Sequence, residues 1–196
     1  MSPRTPEQNE EIREQTRNQI KEAAFQLFAK EGFSNTSVRR VAEKAAVSKG
    51  LIYHYFSSKE EILVSIFEDL QEMGKEATTF PDGCSPAECL ELMLEKVFGY
   101  IEESSEIMRL MISLALQPDA VAKLQPHIQK ENERQVRLLS ELLEKLGYDD
   151  PEDEAYYLAA KLDGVALGCI TMGKEYPYTT IKQKILDEYV HPKEDR

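Results

Sequence analysis

Tryptophan is absent from this 196-residue chain, and cysteine and histidine occur three times each. Cys84, Cys89 and Cys169 are an odd number without CxxC spacing. That excludes a paired-thiolate metal site and leads us to expect reduced thiols in a cytoplasmic protein. The histidines are His54, His127 and His191. Glu188-x-x-His191 has the spacing of a helical metal-ligand pair, but carboxylate bundles use two such motifs plus two further glutamates, so one copy reads as chance. G-x-S-x-G and phosphate-loop motifs are missing, and with them the usual nucleophile and nucleotide chemistry. We therefore expect no metal, no cofactor and no enzymatic activity. No run of 18 uncharged apolar residues exists, so no membrane span is expected. Met1–Glu7 lacks the apolar stretch of a secretory signal. No segment alternates with period two, which argues against any sheet.

What is present is charge of one sign, interrupted once. The chain carries a net −12, yet residues 36–59 hold five Lys/Arg and one acid. Residues 1–60 have ten basic and eight acidic side chains; residues 61–196 have 14 and 28. Phosphate attracts cations and repels carboxylates, so a basic head on an acidic body has the charge pattern of a nucleic-acid footprint at one end.

Within that stretch Val38, Val41, Ala42 and Ala45 recur at helical spacing. Thr36 and Ser37 precede them as capping residues, and Ser48 can cap a second helix after the Ala46-Val47 interruption. Gly50 costs helix stability but leaves room for close approach. Two short helices joined by such a turn describe a helix-turn-helix, whose second helix enters the major groove of DNA.

The block Gly32-Phe33-x-x-Thr36-Ser37-Val38-x-x-Val41-Ala42, followed by Ala46-Val47-Ser48-Lys49-Gly50-Leu51-Ile52-Tyr53-His54-Tyr55-Phe56-x-x-Lys59-Glu60-Glu61-Ile62-Leu63, resembles the DNA-binding domain of TetR-family transcriptional regulators. The resemblance covers roughly residues 14 to 66, a third of the chain. It implies an all-α protein with a helix-turn-helix domain and a larger helical domain that binds a small-molecule effector and dimerises. It also implies double-stranded DNA with a near-palindromic operator as partner, and repression as the commoner mode. The effector is left unknown.

Residues 1–11 are polar with two prolines and read as a disordered tail, in which Arg4 is a candidate for a minor groove. The helix-turn-helix domain is expected over 12–57, its first helix running from Glu14 to Glu31 with Gly32 as C-cap. The body is expected over 58–196. Ser58-x-x-Glu61 starts a long fourth helix that joins head to body, and Pro81-Asp82-Gly83 breaks the chain. Ser85-Pro86-Ala87-Glu88 combines a capping box with proline at the first helical position, which predicts a helix over 86–103. Further helices are expected at 107–116, between Pro118 and Pro126, at 127–146, from Asp150 to Lys174 and at 180–189.

The candidate DNA contacts are Thr36, Ser37, Arg39, Ser48, Lys49, Gly50, Tyr53, His54, Tyr55 and Lys59. Lys49, at the start of the recognition helix, can donate to guanine O6 or N7. A phosphate contact or a free surface lysine is the alternative. The resemblance turns Tyr53 and Tyr55 toward DNA and gives Lys59 a phosphate; Phe56 belongs to the core. Thr36, Ser37 and Arg39 are candidate backbone contacts that position without reading sequence.

In the body, Phe98, Tyr100, Met108, Met111, Leu114, Tyr157, Asp163 and Cys169 are candidates for an effector pocket, against the alternative of plain core or, for Asp163, solvent. The apolar stripes that include Leu139, Leu142, Leu143, Leu158, Leu162, Val165 and Ala166 are candidates for a four-helix dimer interface, against burial inside one subunit. Two other functions stay open at this stage. A redox-sensing regulator would switch through Cys84 and Cys89, which a loop with Pro86 can bring together. A helical adaptor would leave the basic patch and the Tyr53-His54-Tyr55 run without a role.

Overall fold

The computed structural model describes residues 5–103 and 105–190. Arg4 and the histidine of Glu188-x-x-His191 lie outside them. The chain forms α1 (Pro6–Glu31), α2 (Val38–Lys44), α3 (Lys49–Tyr55), α4 (Lys59–Ala77), α5 (Pro86–Glu103), α6 (Ser105–Ala115), α7 (Pro118–Lys145), α8 (Pro151–Met172), a short 3₁₀ turn (Gly173–Glu175) and α9 (Tyr178–Tyr189). Among the described residues there is no strand, as the missing period-two pattern predicts.

Serine caps mark the starts of α2, α3, α4 and α5. The Ser37 hydroxyl accepts from the Arg40 amide at 3.2 Å and the Ser48 hydroxyl from the Leu51 amide at 3.1 Å. At α5 the box closes in both directions: Glu88 N–H donates to Ser85 Oγ at 3.3 Å, and Ser85 N–H to Glu88 Oε2 at 2.9 Å. The Ser85 contacts hold the Glu88 carboxyl below the usual carboxylate range. The box also accounts for the cysteines. With Ser85 as cap, Cys84 and Cys89 occupy the two positions that pack together as a hydrophobic staple. The structure joins them in a disulfide with Cα atoms 5.8 Å apart, so of the three thiols expected to be reduced only Cys169 is free.

Two expectations fail for physical reasons. Helix α1 begins at Pro6, not Glu14, so residues 6–11 are helical rather than part of a disordered 1–11 tail. Thr5 and Gln8 form a capping box across Pro6 at the first helical position. What looked like two chain breakers is a start signal. Pro126 lies inside α7 instead of separating two helices. Proline forfeits one backbone bond in a helix, and here apolar residues on both sides, Leu124 and Leu139, are anchored in cores.

The chain divides into two compact units, and not at residue 57. The first runs to Leu70 and includes Leu110–Pro126; the second contains Gln71–Arg109 and the chain from His127 onward. In the first, Ile20, Ala24 and Phe28 of α1 pack with Val41, Ile52, Phe56, Ile62 and Leu63, and Leu114, Ala120 and Leu124 join them from α6 and α7. Lys21 is largely buried and its ammonium bonds the Asp69 carboxylate, tying α1 to α4. In the second, Leu90, Leu94 and Phe98 of α5 meet Leu143, Leu158, Val165, Ile185 and Tyr189. Arg134 and the mostly buried Glu131 pair along α7, and Arg134 also donates to Thr78 Oγ1 at 3.2 Å.

Gly168 of α8 allows one close approach in the second unit. A Cβ built there would meet the Tyr176 ring at 2.2 Å. Gly168→Ala therefore has to displace a packed aromatic. It is expected to lower unfolding stability by about 1–3 kcal/mol despite alanine's better helix propensity, as urea denaturation would show.

Candidate nucleic-acid interface

Helix α3 has seven residues, and Ile52 anchors it by being fully buried. At about 100° per residue, Gly50 and His54 point roughly opposite Ile52, while Lys49 with Tyr53 and Leu51 with Tyr55 take the two flanks. Gly50, His54, Lys49, Leu51 and Tyr53 are all exposed and Tyr55 is half-buried. The Lys49 ammonium lies 5.6 Å from the centre of the Tyr53 ring, within cation–π range. The His54 and Tyr55 rings meet edge to face at 5.3 Å. A Cβ at Gly50 would meet only Ser48 Oγ at 3.9 Å. Nothing inside the chain crowds that position, so the backbone there is open to close approach from outside.

The turn into α3 is held by its backbone. Val47 N–H donates to the Ala42 carbonyl at 3.0 Å and Ala46 N–H to Glu43 at 3.3 Å. This Schellman pattern places Ala46 at φ +51°, where glycine is usual. Gln19 of α1 donates to the Ala45 carbonyl at 2.8 Å, fixing the same corner. Arg17 reaches Ser65 Oγ at 3.0 Å and lies over the Phe56 ring.

Ser37, Arg39, Ser48, Lys49, Gly50, Tyr53 and His54 form an exposed group on α2, α3 and their caps. Arg39 pairs with Glu43 at 2.9 Å and Arg40 with Glu31 at 3.3 Å. Both pairs are exposed, and such bridges contribute about 0–1 kcal/mol, so a phosphate can exchange for the carboxylate. The hydrogen bond that Arg40 donates to the Glu31 carboxylate holds its guanidinium above its ordinary pKa.

Two candidates are corrected. Thr36 is only 2 % exposed, and its hydroxyl donates to the Gly32 carbonyl at 2.8 Å, so it presents nothing to a phosphate. The Lys59 ammonium, read as a phosphate contact, is committed inward. It donates to the carbonyls of Phe33 at 2.8 Å, Thr36 at 3.1 Å and Ser34 at 3.3 Å, and sits 4.5 Å from the Phe33 ring centre. Positive charge next to a helix start suggested an anion; the nearby carbonyl oxygens took it instead. Sequence reasoning also missed Gln117, which a glutamine between two helices does not advertise. Its side chain reaches back to the end of α1 within the same unit.

The pocket candidates divide between the two units, and Phe98, Met108 and Cys169 share the core cluster of the second. Leu114 is buried in the core of the first unit, and Met111, also in that unit, is exposed. In the second unit Phe98 is core; Tyr178 donates to its carbonyl at 2.8 Å, and burial pushes the Tyr178 hydroxyl up to about 12. Tyr100 and Met108 are half-buried, and the Tyr100 hydroxyl donates to the Met73 carbonyl at 3.4 Å. Burial, then Glu102, raises the half-buried Cys169 thiol. Tyr157 is 57 % exposed under the Lys161 ammonium, and Asp163 is exposed on α8, where crowding by neighbours raises its carboxyl pKa. The interface candidates are corrected as well. Leu139, Leu143, Leu158, Val165 and Ala166 are buried in the core of the second unit with Leu162 packed against them, and Leu142 is buried as well. The apolar side chains that α8 leaves exposed are Tyr156, Tyr157, Leu167 and Met172.

Residues 20–66 match the family described as "Bacterial regulatory proteins, tetR family". The HTH-type transcriptional regulator BetI of Escherichia coli is 25% identical over 163 residues, covering 81% of this chain and 84% of BetI. The HTH-type transcriptional regulator TtgR of Pseudomonas putida is 34% identical over 89 residues, 44% of this chain and 42% of TtgR. The crystal structure of a transcriptional regulator from Rhodococcus sp. Rha1 superposes with a TM-score of 0.73 at 26% identity, covering 89% of this chain and 94% of that one. Relatives of this kind give the redox-switch alternative no support, and the staple positions explain the Cys84–Cys89 proximity without it.

The inward commitment of Lys59 has a measurable consequence. Lys59→Met keeps most of the hydrocarbon stem but leaves three carbonyls without their donor. It is expected to cost about 1–3 kcal/mol of unfolding stability, read from the denaturant midpoint.

Proposed function

Because the chain belongs to the TetR family of bacterial regulatory proteins, a family of DNA-binding transcriptional regulators and not of enzymes, we propose that it acts in the cytoplasm as a homodimeric repressor of a near-palindromic operator. The observation that carries this reading is the outward face of α3. Gly50 leaves open space beside His54, and Lys49 and Tyr53 stand exposed at its flank. Lysine can donate to guanine in the major groove. Ser37, Ser48, Arg39, Tyr53 and Tyr55 supply the chemistry for backbone contacts that set register. No helix of the described chain is long and apolar enough to cross a membrane.

In this reading the second copy packs on the exposed side of α8. Tyr156, Tyr157 and Leu167 offer apolar area there, and Ala160 and Gly164 lie between them on the same exposed face. Two heads then read half-sites related by a two-fold axis, separated by about 10 base pairs or a multiple.

A small-molecule effector among the helices of the second unit releases the operator. The coupling runs through α4, one helix that contributes residues to both units. An effector that favours one position of α4 changes the separation of the two α3 helices. Typical allosteric coupling is about 1–3 kcal/mol, and an effector that binds both arrangements equally changes nothing.

Selection of bound duplexes from random DNA tests the function. A two-fold symmetric motif is expected, and its affinity should fall steeply with salt, the logarithmic slope being about −0.9 for each phosphate neutralised. The absence of any enriched motif rejects the reading. In the same selection Lys49→Ala is expected to relax base preference at one position of each half-site. Leu167→Glu places a charge on the α8 face and is expected to give a monomer by analytical ultracentrifugation, with the fold retained by circular dichroism.

A further inference from the structure

The end of α1 and the segment leading into α2 are held by side chains distant in sequence. A helix C-terminus leaves carbonyls without helical partners, and a buried backbone group without one is costly. Here side chains bond four of the carbonyls at that end. Gln117 Nε2 donates to the Phe28 carbonyl at 3.1 Å, beside the Gly32 N–H that also bonds it, and Ser113 Oγ donates to Ala29 at 2.7 Å. Asn35 donates to Glu31 at 3.1 Å and Thr36 to Gly32 at 2.8 Å. The other end of the Gln117 amide, Oε1, accepts the Phe33 N–H at 2.7 Å, and Ser34 Oγ donates to the Asp119 carboxylate. Lys59 closes the opposite side on the carbonyls of Phe33, Ser34 and Thr36.

Resting on the reading of α3 as the DNA-reading helix, we propose that Gln117 is a positioning residue for sequence recognition. Its amide bridges the last turn of α1 and the first residue after Gly32, splinting residues 32–36 against Lys59 so that α2 and α3 are held in one register. Two features favour this over ordinary packing. The amide uses donor and acceptor on two different backbone sites flanking a glycine at φ +91°, so it fixes a corner and not merely a helix. The corner also leads directly to Ser37, the cap of α2. Discrimination between sequences depends on that register, whereas attraction to phosphate as such does not.

Gln117→Leu separates the two. With the selected duplex the variant is expected to bind about tenfold more weakly, and with a random duplex within twofold of the unchanged chain, at an unaltered salt slope. Hydrogen exchange at the Phe33 amide is expected to accelerate at least tenfold while melting stays cooperative. Gln117→Glu keeps the acceptor for Phe33 and turns a carboxylate on the Phe28 carbonyl; it is expected to lose discrimination to an intermediate degree, and it carries the test if the leucine variant does not fold. Combined with Lys59→Met, the loss should fall short of the product of the two single losses, because both act on one segment. Equal weakening on selected and random duplexes, or faster Phe33 exchange with discrimination intact, overturns the proposal. A chain that prefers no duplex at all overturns the reading of α3 itself, which the unchanged protein reports on its own.

Discussion

The arrangement of the DNA-facing unit depends on how the open carbonyls at the end of α1 are satisfied. Helix α1 is 26 residues long and stops at Gly32. Everything that faces outward on α2 and α3 is carried by the five residues that follow. A flexible connection of that length would let α2 and α3 shift against the core, for apolar packing is non-directional. Hydrogen bonds are directional, and this segment has them with Gln117, Asp119 and Lys59. The apolar core supplies the stability of the unit, and the polar clamps supply its alignment.

The same clamps explain how an acidic protein can present a usable basic face. Of the five cations between residues 36 and 59, Lys59 is spent on carbonyls, and Arg39 and Arg40 rest on Glu43 and Glu31. Lys44 and Lys49 are exposed, Lys49 over an aromatic ring on the outer helix. Binding a polyanion then exchanges weak, exposed pairs for phosphate contacts at little cost, whereas withdrawing Lys59 would take its ammonium from the Phe33, Ser34 and Thr36 carbonyls. Charge count alone does not separate these roles; the distance to the nearest acceptor does.

Local chemistry was legible in the sequence wherever it is local in space. Ser37, Ser48 and the Ser85–Glu88 box cap the helices they precede, and the Val41, Ala42, Ala45 stripe faces the core. The misreadings came from features whose partners lie far along the chain or whose local sign is ambiguous. Thr5-Pro6 looked like a tail because proline both starts helices and breaks them. Pro126 looked like a boundary because its cost is visible in sequence while the packing that outweighs it is not. Ser113 and Gln117 gave no signal, since their bonds to Ala29 and Phe33 span 84 residues each.

Apolar periodicity has a further limit, which α8 makes plain. A stripe says that a face is covered, not whose atoms cover it. Leu158, Val165 and Ala166 are covered by their own chain, so the stripe that seemed to promise a partner describes the interior. The side left exposed carries Tyr156, Tyr157 and Leu167, separated by Ala160 and Gly164. It keeps helical spacing but mixes large rings with small residues, so its apolar character is weaker than that of the buried stripe. Lys161, between the two sides, shows how they stay distinct. Its ammonium donates to Glu188 at 2.8 Å and to Tyr189 at 3.2 Å while lying 4.0 Å from the centre of the Tyr157 ring. One residue thus fastens α8 to α9 on the inner side and supports an exposed ring on the outer. The rigidity of the interior is thereby passed to the surface on which, in our reading, a second copy has to register.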